Sequence, residues 1–156
     1  MVNTMPKLTY AIKQLGVHDL EDFQRLREVF GDAFDEPAAY TTDIPSSEYL
    51  RTVLAKSNHI ALVAKSGDEV IGGLVAYELE KCEQERSEIY LYDLAVRETH
   101  RRKGVATHLI EELKVIARMR KAYVIFVQAD TRDAPAIKLY ESLGNRENVY
   151  HFDIRV

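Results

Sequence analysis

The sequence contains a single cysteine, Cys82, among its 156 residues, which excludes an internal disulfide and a cysteine-rich zinc site. No apolar run approaches the roughly 20 residues that a membrane-spanning helix needs. The first ten residues lack the apolar centre of a secretory signal peptide. The five histidines show no spacing with carboxylates that is typical of a metal site. We therefore expect a cytoplasmic protein that binds neither a metal ion nor a membrane.

Positive charge is in the minority, with 21 Lys+Arg against 25 Asp+Glu and a net charge of −4. Three of the cations are adjacent, at positions 101–103, and setting them aside leaves 18 against 25 in the remainder. An acidic surface disfavours nucleic acid and favours a cationic partner, although a mild acidic excess also simply keeps a protein soluble.

The length is that of a single domain, residues 1–156, without repeats, linkers or low-complexity segments. Hydrophobic periodicity and turn residues predict the order β-α-α-β-β-β-α-β-α-β, which implies a mixed α/β sheet flanked by helices. The predicted strands are Leu8–Leu15, Asn58–Ala64, Val70–Leu79, Glu88–Val96, Ala122–Gln128 and Asn148–Ile154. The predicted helices run from Asp19 to about Phe30, from Ser46 or Ser47, from about Gly104 to Arg120, and from Asp133 to Gly144.

Three local patterns sharpen this prediction. Gly72–Gly73 inside a strand predicts a bulge or a close backbone approach. The unbroken apolar run at 122–128 predicts a strand buried on both faces. Residues 32–47 contain two prolines and small polar residues, and predict a long loop.

Residues 87–113 combine an apolar strand, a basic turn with one glycine, and an amphipathic helix. A helix start presents unpaired N–H groups and a positive dipole end, and Gly104 lets an anion approach the backbone closely. Arg101, Arg102 and Lys103 add cationic hydrogen-bond donors, and Thr107 adds a hydroxyl. The pattern therefore predicts a phosphate-binding turn, with a solvated basic loop as the alternative. It has neither P-loop nor GxGxxG spacing.

The run Arg101-x-x-Gly104-x-Ala106 resembles the Q/R-x-x-G-x-G/A signature of the GNAT acetyltransferases, and residues 136–144 resemble that family's A-x-x-L-Y-x-x-x-G helix. The resemblance covers almost the whole chain. It implies a central mixed, mostly antiparallel sheet of about 6–7 strands, splayed at the central strand and flanked by about four helices. It also implies acetyl-CoA as cosubstrate.

In that family the turn holds the pyrophosphate of acetyl-CoA, and the central strand pairs with its pantetheine arm. Asp133 stands where many members carry a coenzyme-contacting Asn, and Asn145 where most carry Phe. The donor contacts implied by the resemblance are Leu94, Ala95, Val96, Arg101, Arg102, Lys103, Gly104, Val105, Ala106, Thr107 and Asp133.

The segments SEIYLYDLAV, YVIFVQAD and VYHFDI resemble the class I aminoglycoside 3-N-acetyltransferases more closely. Those enzymes acetylate the 3-amino group of the deoxystreptamine ring of gentamicin-type antibiotics. The resemblance thus implies antibiotic resistance as the role, and a homodimer through the C-terminal strand, which is common in the family. The N-terminal third resembles the family only loosely.

Acetyl transfer to an amine requires a base, polarisation of the thioester carbonyl and an acid for the leaving thiolate. Asp93, the one acid within an apolar strand, is the candidate base, acting directly, through a water or as an anchor for the ammonium. A structural ion pair is the alternative. Strict alternation places Asp93 on the face opposite Tyr92, which a bulge would change. Tyr140 is the candidate acid, with a core tyrosine as the alternative.

A polycationic acceptor calls for an acidic cleft, although each acid on its own also fits a solvated surface residue. The backbone N–H of Leu94 or Ala95 is the candidate oxyanion donor. The candidate acceptor-binding residues are Asp35, Glu36, Glu88, Tyr92, Asp93, Asp130 and His151.

Three other functions remain open from the sequence. A polyamine or a protein amine fits the acidic surface nearly as well as an aminoglycoside. A non-catalytic domain that binds coenzyme A is a second possibility, but it would need neither Asp93 nor Tyr140. Nucleic-acid binding is disfavoured by the acidic total.

Overall fold

The computed structural model describes residues 9–156, without the side chains of residues 37 and 41. The predicted strand residue Leu8 lies outside this range. The strands are β1 (Ala11–Gln14), β2 (His59–Ser66), β3 (Glu69–Glu80), β4 (Ser87–Val96) and β5 (Ala122–Val127). The helices are α1 (Leu20–Ala33), α2 (Pro37–Thr41), α3 (Ser47–Ala55), α4 (Val105–Met119) and α5 (Ala134–Glu141), with one 3₁₀ turn at Glu98–His100.

The five strands form one mixed sheet in the order β1-β2-β3-β4-β5. The first three pairings are antiparallel and the pairing of β4 with β5 is parallel. The mixed α/β class and the mostly antiparallel sheet are therefore confirmed. The expected 6–7 strands are wrong for residues 9–156, because the predicted closing strand Asn148–Ile154 has no regular structure and pairs with no other described strand.

Hydrophobic residues cover the sheet on both faces. One core contains the apolar side of α4 and alternate residues of β2, such as Ile60 and Leu62. The other contains the apolar sides of α1 and α3 and the intervening residues Ala61 and Val63. Because both faces of β2 are buried, its alternate residues pack against two different helical layers.

The Gly72–Gly73 pair brings backbone and helix close to the sheet, as predicted. The β2–β3 register shifts next to Gly72, which marks a bulge in β3. A Cβ on Gly72 would lie 2.9 Å from the Ala95 carbonyl oxygen, and one on Gly73 would collide with the Leu26 side chain. Glycine therefore lets α1 and β4 pack tightly on β3.

Two local predictions are wrong. The predicted loop at 32–47 contains the short helix α2. The strand β5 is not buried on both faces, since Tyr123 is 49% and Val124 39% exposed. The C-terminal segment 148–154, predicted as a closing strand, is itself exposed and covers no part of β5.

Candidate active site

The sheet opens between β4 and β5. The two strands pair from Ser87 to Leu91 on β4, after which β5 ends at Val127 while β4 continues to Val96. In the described part of the chain, residues 92–96 therefore have a strand partner only on the β3 side. Their other backbone groups line the opening and are free to bind an extended, amide-containing ligand. The splay at the central strand is confirmed.

The basic turn leads from the end of β4 into α4. Gly104 is the residue before the helix and has φ 79°, a left-handed conformation that suits glycine. Arg101 Nε donates to the Val96 carbonyl oxygen at 3.1 Å, and Lys103 Nζ donates to that of Thr99 at 2.9 Å. These bonds hold the turn in shape, so that the first N–H groups of α4 face outward beside several cations.

The residues at the start of α4 differ in exposure. Arg101, Arg102, Lys103 and Gly104 are exposed, whereas Val105 is buried and packs in the core. Ala106 and Thr107 are half-buried one turn inside the helix. The turn is thus anchored by Val105 and presents its cationic side to solvent.

A bulge in β4 decides where Asp93 points. Asp93 is opposite Val75 and Leu91 is opposite Ala76, so Tyr92 is the extra residue between them. Because directly opposed residues share a face, Asp93 lies on the side of Val75, in the α1 layer, and not on the side of Leu91. The predicted effect of a bulge is confirmed, and Asp93 faces the same layer as Tyr90.

The Asp93 carboxyl is half-buried, and desolvation by burial raises its pKa. It has no hydrogen bond and no ion pair within the described part of the chain. The alternative of a structural ion pair with an arginine is therefore not observed there. A carboxylate in this state can bind an ammonium group or accept a proton.

Tyr140 lies on α5, beside the core that contains α4. Burial, followed by the charge of Asp133, raises the pKa of its phenol to about 12. The phenol is thus fully protonated at neutral pH and can donate a proton. Leu94 packs on this same core, so Asp93 and Tyr140 belong to opposite faces of the sheet on either side of the opening.

The predicted acceptor acids are spread over several sites. Glu88 accepts a hydrogen bond from the Tyr123 hydroxyl at 2.9 Å and pairs with Lys81 at 3.4 Å. Asp130 accepts from the Arg132 backbone N–H, which lowers the pKa of its carboxyl. Asp133 accepts from the Ala136 N–H and caps α5, as predicted.

The remaining candidates lie on the exposed loop and in the C-terminal segment. Asp35 and Glu36 are exposed just before α2, and the charge of Glu36 helps raise the pKa of Tyr40. His151 pairs with Asp153 at 3.0 Å in the exposed segment after α5. The structure therefore brings Tyr92 and Asp93 together and leaves His151 with its neighbour.

Sequence reasoning predicted Tyr92 beside Asp93 but missed Tyr77 and Tyr40 on the same side of the sheet. Tyr77 is opposite Tyr90 across β3 and β4, and its ring centroid lies 5.8 Å from that of Tyr92. Desolvation by burial raises the pKa of Tyr40, Tyr77 and Tyr90, and the charge of Asp93 adds to each shift. The pair Tyr90–Tyr92 was visible as a pattern, but the register that adds Tyr77 and the helix that adds Tyr40 were not.

Residues 9–156 contain no group of three or more His, Cys, Asp or Glu side chains placed to hold a metal ion. Within the same range, no helix has both the length and the apolar character needed to cross a membrane.

Solved structures of known proteins share this fold. An aminoglycoside acetyltransferase from an uncultured soil metagenomic sample is 50% identical, with a TM-score of 0.94 over 96% of this chain and 99% of that one. A second, from another such sample and bound to sisomicin, is 31% identical, with a TM-score of 0.89 over 95% and 97% of the two chains.

A mammalian relative matches over a shorter region. N-acetyltransferase 8B of Rattus norvegicus is 28% identical over 90 residues, which are 58% of this chain and 40% of that protein. The chain therefore spans less than half the length of this relative. Residues 23–144 match the acetyltransferase (GNAT) family. The chain belongs to the GNAT family of acetyltransferases.

Proposed function

We propose that this acetyltransferase transfers the acetyl group of acetyl-CoA to the 3-amino group of the deoxystreptamine ring of aminoglycosides. One observation carries the proposal: Asp93 of β4 is an unpaired, half-buried carboxylate within the described part of the chain, at the mouth of the opening between β4 and β5. Support for the acceptor class comes from the relative that binds sisomicin, whose sequence is 31% identical over 95% of this chain.

The described residues fit a donor of the size and charge of acetyl-CoA. A pyrophosphate would lie against the N–H groups of Val105, Ala106 and Thr107, next to Arg101, Arg102 and Lys103, with Gly104 leaving the approach open. The pantetheine amides would bond to the free backbone edge of Leu94, Ala95 and Val96. Asp133 is occupied as the cap of α5, so its contact with the donor would be through its remaining oxygen.

The donor supplies an activated acetyl thioester, and residues of this chain accept and donate the protons. Asp93 holds the acceptor ammonium and takes its proton, directly or through a water. The amine nitrogen then forms its bond to the carbonyl carbon, the carbon–sulfur bond breaks, and the nitrogen releases its second proton to solvent. The Tyr140 phenol, on the other side of the opening, protonates the departing sulfur, and the backbone N–H of Leu94 or Ala95 stabilises the oxyanion.

The acceptor would be held by acids at several distances from Asp93. Glu88 and Tyr92 lie on β4 itself, Asp35 and Glu36 lie on the loop above the α1 layer, and Asp130 follows β5. Several dispersed carboxylates suit a rigid polycation better than a single amine.

An acceptor panel tests the proposal. The protein is incubated with acetyl-CoA and either sisomicin, spermidine or a lysine peptide, and free thiol is measured. We expect turnover with sisomicin and the product carrying the new acetyl group on the 3-nitrogen, assigned by NMR. Sisomicin already acetylated at that nitrogen is the matched control and should be inert. Turnover with spermidine alone, or acetylation elsewhere on sisomicin, would contradict the proposal.

Antibiotic resistance and self-association extend the proposal. Expression in a susceptible bacterium should raise the inhibitory concentration of sisomicin if the acetylated product no longer binds its target. We also propose a homodimer that forms through the C-terminal segment, where Tyr150, Phe152 and Ile154 are each more than three-quarters exposed.

A further inference from the structure

Three tyrosines lie on the α1 side of the sheet, as Asp93 does. Tyr92 is the bulged residue of β4, and its ring contacts that of Tyr77 on β3 edge to face, with centroids 5.8 Å apart at 90°. Tyr40 comes from α2, where its ring lies 6.3 Å from both Phe30 and Phe34. Tyr40 and Tyr77 pack against the same core, so β4, β3 and α2 each contribute one ring to the α1 side of the sheet.

The rings contact one another or aromatic neighbours, but within the described part of the chain their hydroxyl groups make no hydrogen bond, unlike that of Tyr90. The phenol oxygen of Tyr90 is held, since its hydroxyl donates to Gln128 Oε1 at 2.8 Å and its ring stacks on Phe126. Those of Tyr40, Tyr77 and Tyr92 have no hydrogen-bond partner in that part. Tyr92 is 59% exposed, whereas Tyr40 and Tyr77 are half-buried.

A carboxylate faced by aromatic rings matches an organic ammonium. Ring faces attract a cation through their quadrupole and replace its water at a small electrostatic loss. The carboxylate supplies the balancing charge, and a neutral or anionic ligand would gain from neither. Desolvation by burial raises the pKa of Tyr40 and Tyr77, and the charge of Asp93 adds to both shifts, in keeping with the packing of both rings on the core of the α1 layer.

We infer that Tyr40, Tyr77 and Tyr92 form an aromatic wall that receives the acceptor's ammonium group against their ring faces, beside the Asp93 carboxylate. This inference rests on the proposed function, because it assigns specificity-determining residues to the acceptor side of that site. The wall makes the site selective for amines that carry positive charge on approach. Donor binding does not depend on it, since the basic turn lies beyond the other end of residues 92–96.

Tyr92 offers the sharpest test because it is exposed and its replacement leaves both cores intact. Tyr92→Leu removes the ring, and Tyr92→Phe is the matched control that keeps the ring and removes only the hydroxyl. With sisomicin as acceptor, we expect Tyr92→Leu to raise the acceptor KM about tenfold. Tyr92→Phe should stay within about twofold, and the KM for acetyl-CoA should be unchanged in both.

A binding titration without acetyl-CoA separates this inference from the proposed reaction. The chain has nine tyrosines and no tryptophan, so its intrinsic fluorescence reports on tyrosine alone. Sisomicin binding should follow the same order, with wild type and Tyr92→Phe tighter than Tyr92→Leu. That order without turnover would support the wall and overturn the acetylation proposal.

Other results would overturn the wall. Normal turnover with equal acceptor KM in all three proteins would reject it while leaving the proposed function standing. Equal losses in Tyr92→Phe and Tyr92→Leu would assign the effect to the hydroxyl and not to the ring. No sisomicin binding by the wild-type protein, together with no turnover, would reject both proposals.

Discussion

Asp93 is an acidic side chain in an apolar strand, and burial rather than any partner sets its pKa. Acids that are buried at least as deeply elsewhere in the described chain are compensated by cations. Asp22, for example, is bonded by Lys65 at 2.8 Å and by Lys13 at 3.2 Å, and its pKa falls despite burial. A residue that lowers the stability of the fold and has no stabilising partner in the described part of the chain is typical of a functional site.

Asp93→Asn should separate activity from stability. Asparagine keeps the shape but can neither take the proton nor balance an ammonium, so kcat/KM for sisomicin should fall about 100-fold or more. The affinity for acetyl-CoA should be retained. Asp68→Asn, the same change in the exposed hairpin turn, is the control and should behave as wild type. Unchanged kinetics in Asp93→Asn would remove Asp93 from the reaction.

The raised pKa of Asp93 also fixes the sign of two pH effects. Above the folded-state pKa the carboxyl is ionised in both states, and burial of its charge destabilises the fold; below the unfolded value of ~3.9 it is neutral in both. Asp93→Asn should therefore have an equal or higher Tm at pH 7, with the difference vanishing toward pH 4. In the wild type, kcat/KM should fall as the pH drops through the raised pKa, at a pH above the ordinary aspartate range.

At the scale of elements, the features that could be predicted are those that depend on residues close together in the sequence. The periodicity of β4 and α4, the caps Ser46 and Asp133 and the turn at Gly104 are local features, and the structure has them. The helix α2 was missed because its five residues carry too short a pattern. The face of Asp93 required the register of β4 against β3, which a sequence does not contain.

The turn before α4 depends on a residue without a side chain at a left-handed position. Gly104 has φ 79°, and the nearest atom to a Cβ there would be His108 Cε1 at 3.7 Å. A Cβ at this exposed position would therefore meet no steric clash, and only the left-handed backbone would be strained. The sensitivity of this position should come from charge as well as backbone strain.

Gly104→Asp and Gly104→Asn form a matched pair for this element. Both residues tolerate a left-handed backbone better than most, and they differ only in charge. We expect the KM for acetyl-CoA to rise about tenfold more in Gly104→Asp, because its carboxylate repels the pyrophosphate in a poorly screened position. Tm values should be similar. Equal effects in the two variants would show that space and not charge governs the turn.

At the scale of the whole molecule, one edge of the sheet is open in the described part of the chain. The outer edge of β5 has no strand partner in the described part of the chain, and Tyr123 and Val124 are exposed on it. The segment after α5 alternates apolar with polar residues, VYHFDIRV, and its apolar side chains Tyr150, Phe152 and Ile154 face solvent. An open strand edge can pair with an amphipathic extended segment, which then becomes the next strand of the sheet.

Pairing between two copies would cover both surfaces at once. We therefore expect a mass of twice 17.9 kDa by light scattering coupled to gel filtration. The double variant Phe152→Asp/Ile154→Asp should run at the mass of one chain, because charges on the apolar side oppose its burial. Arg155→Ala, on the polar side of the same segment, is the control and should remain dimeric. A wild-type protein with the mass of one chain at all concentrations would mean that the segment folds onto its own β5.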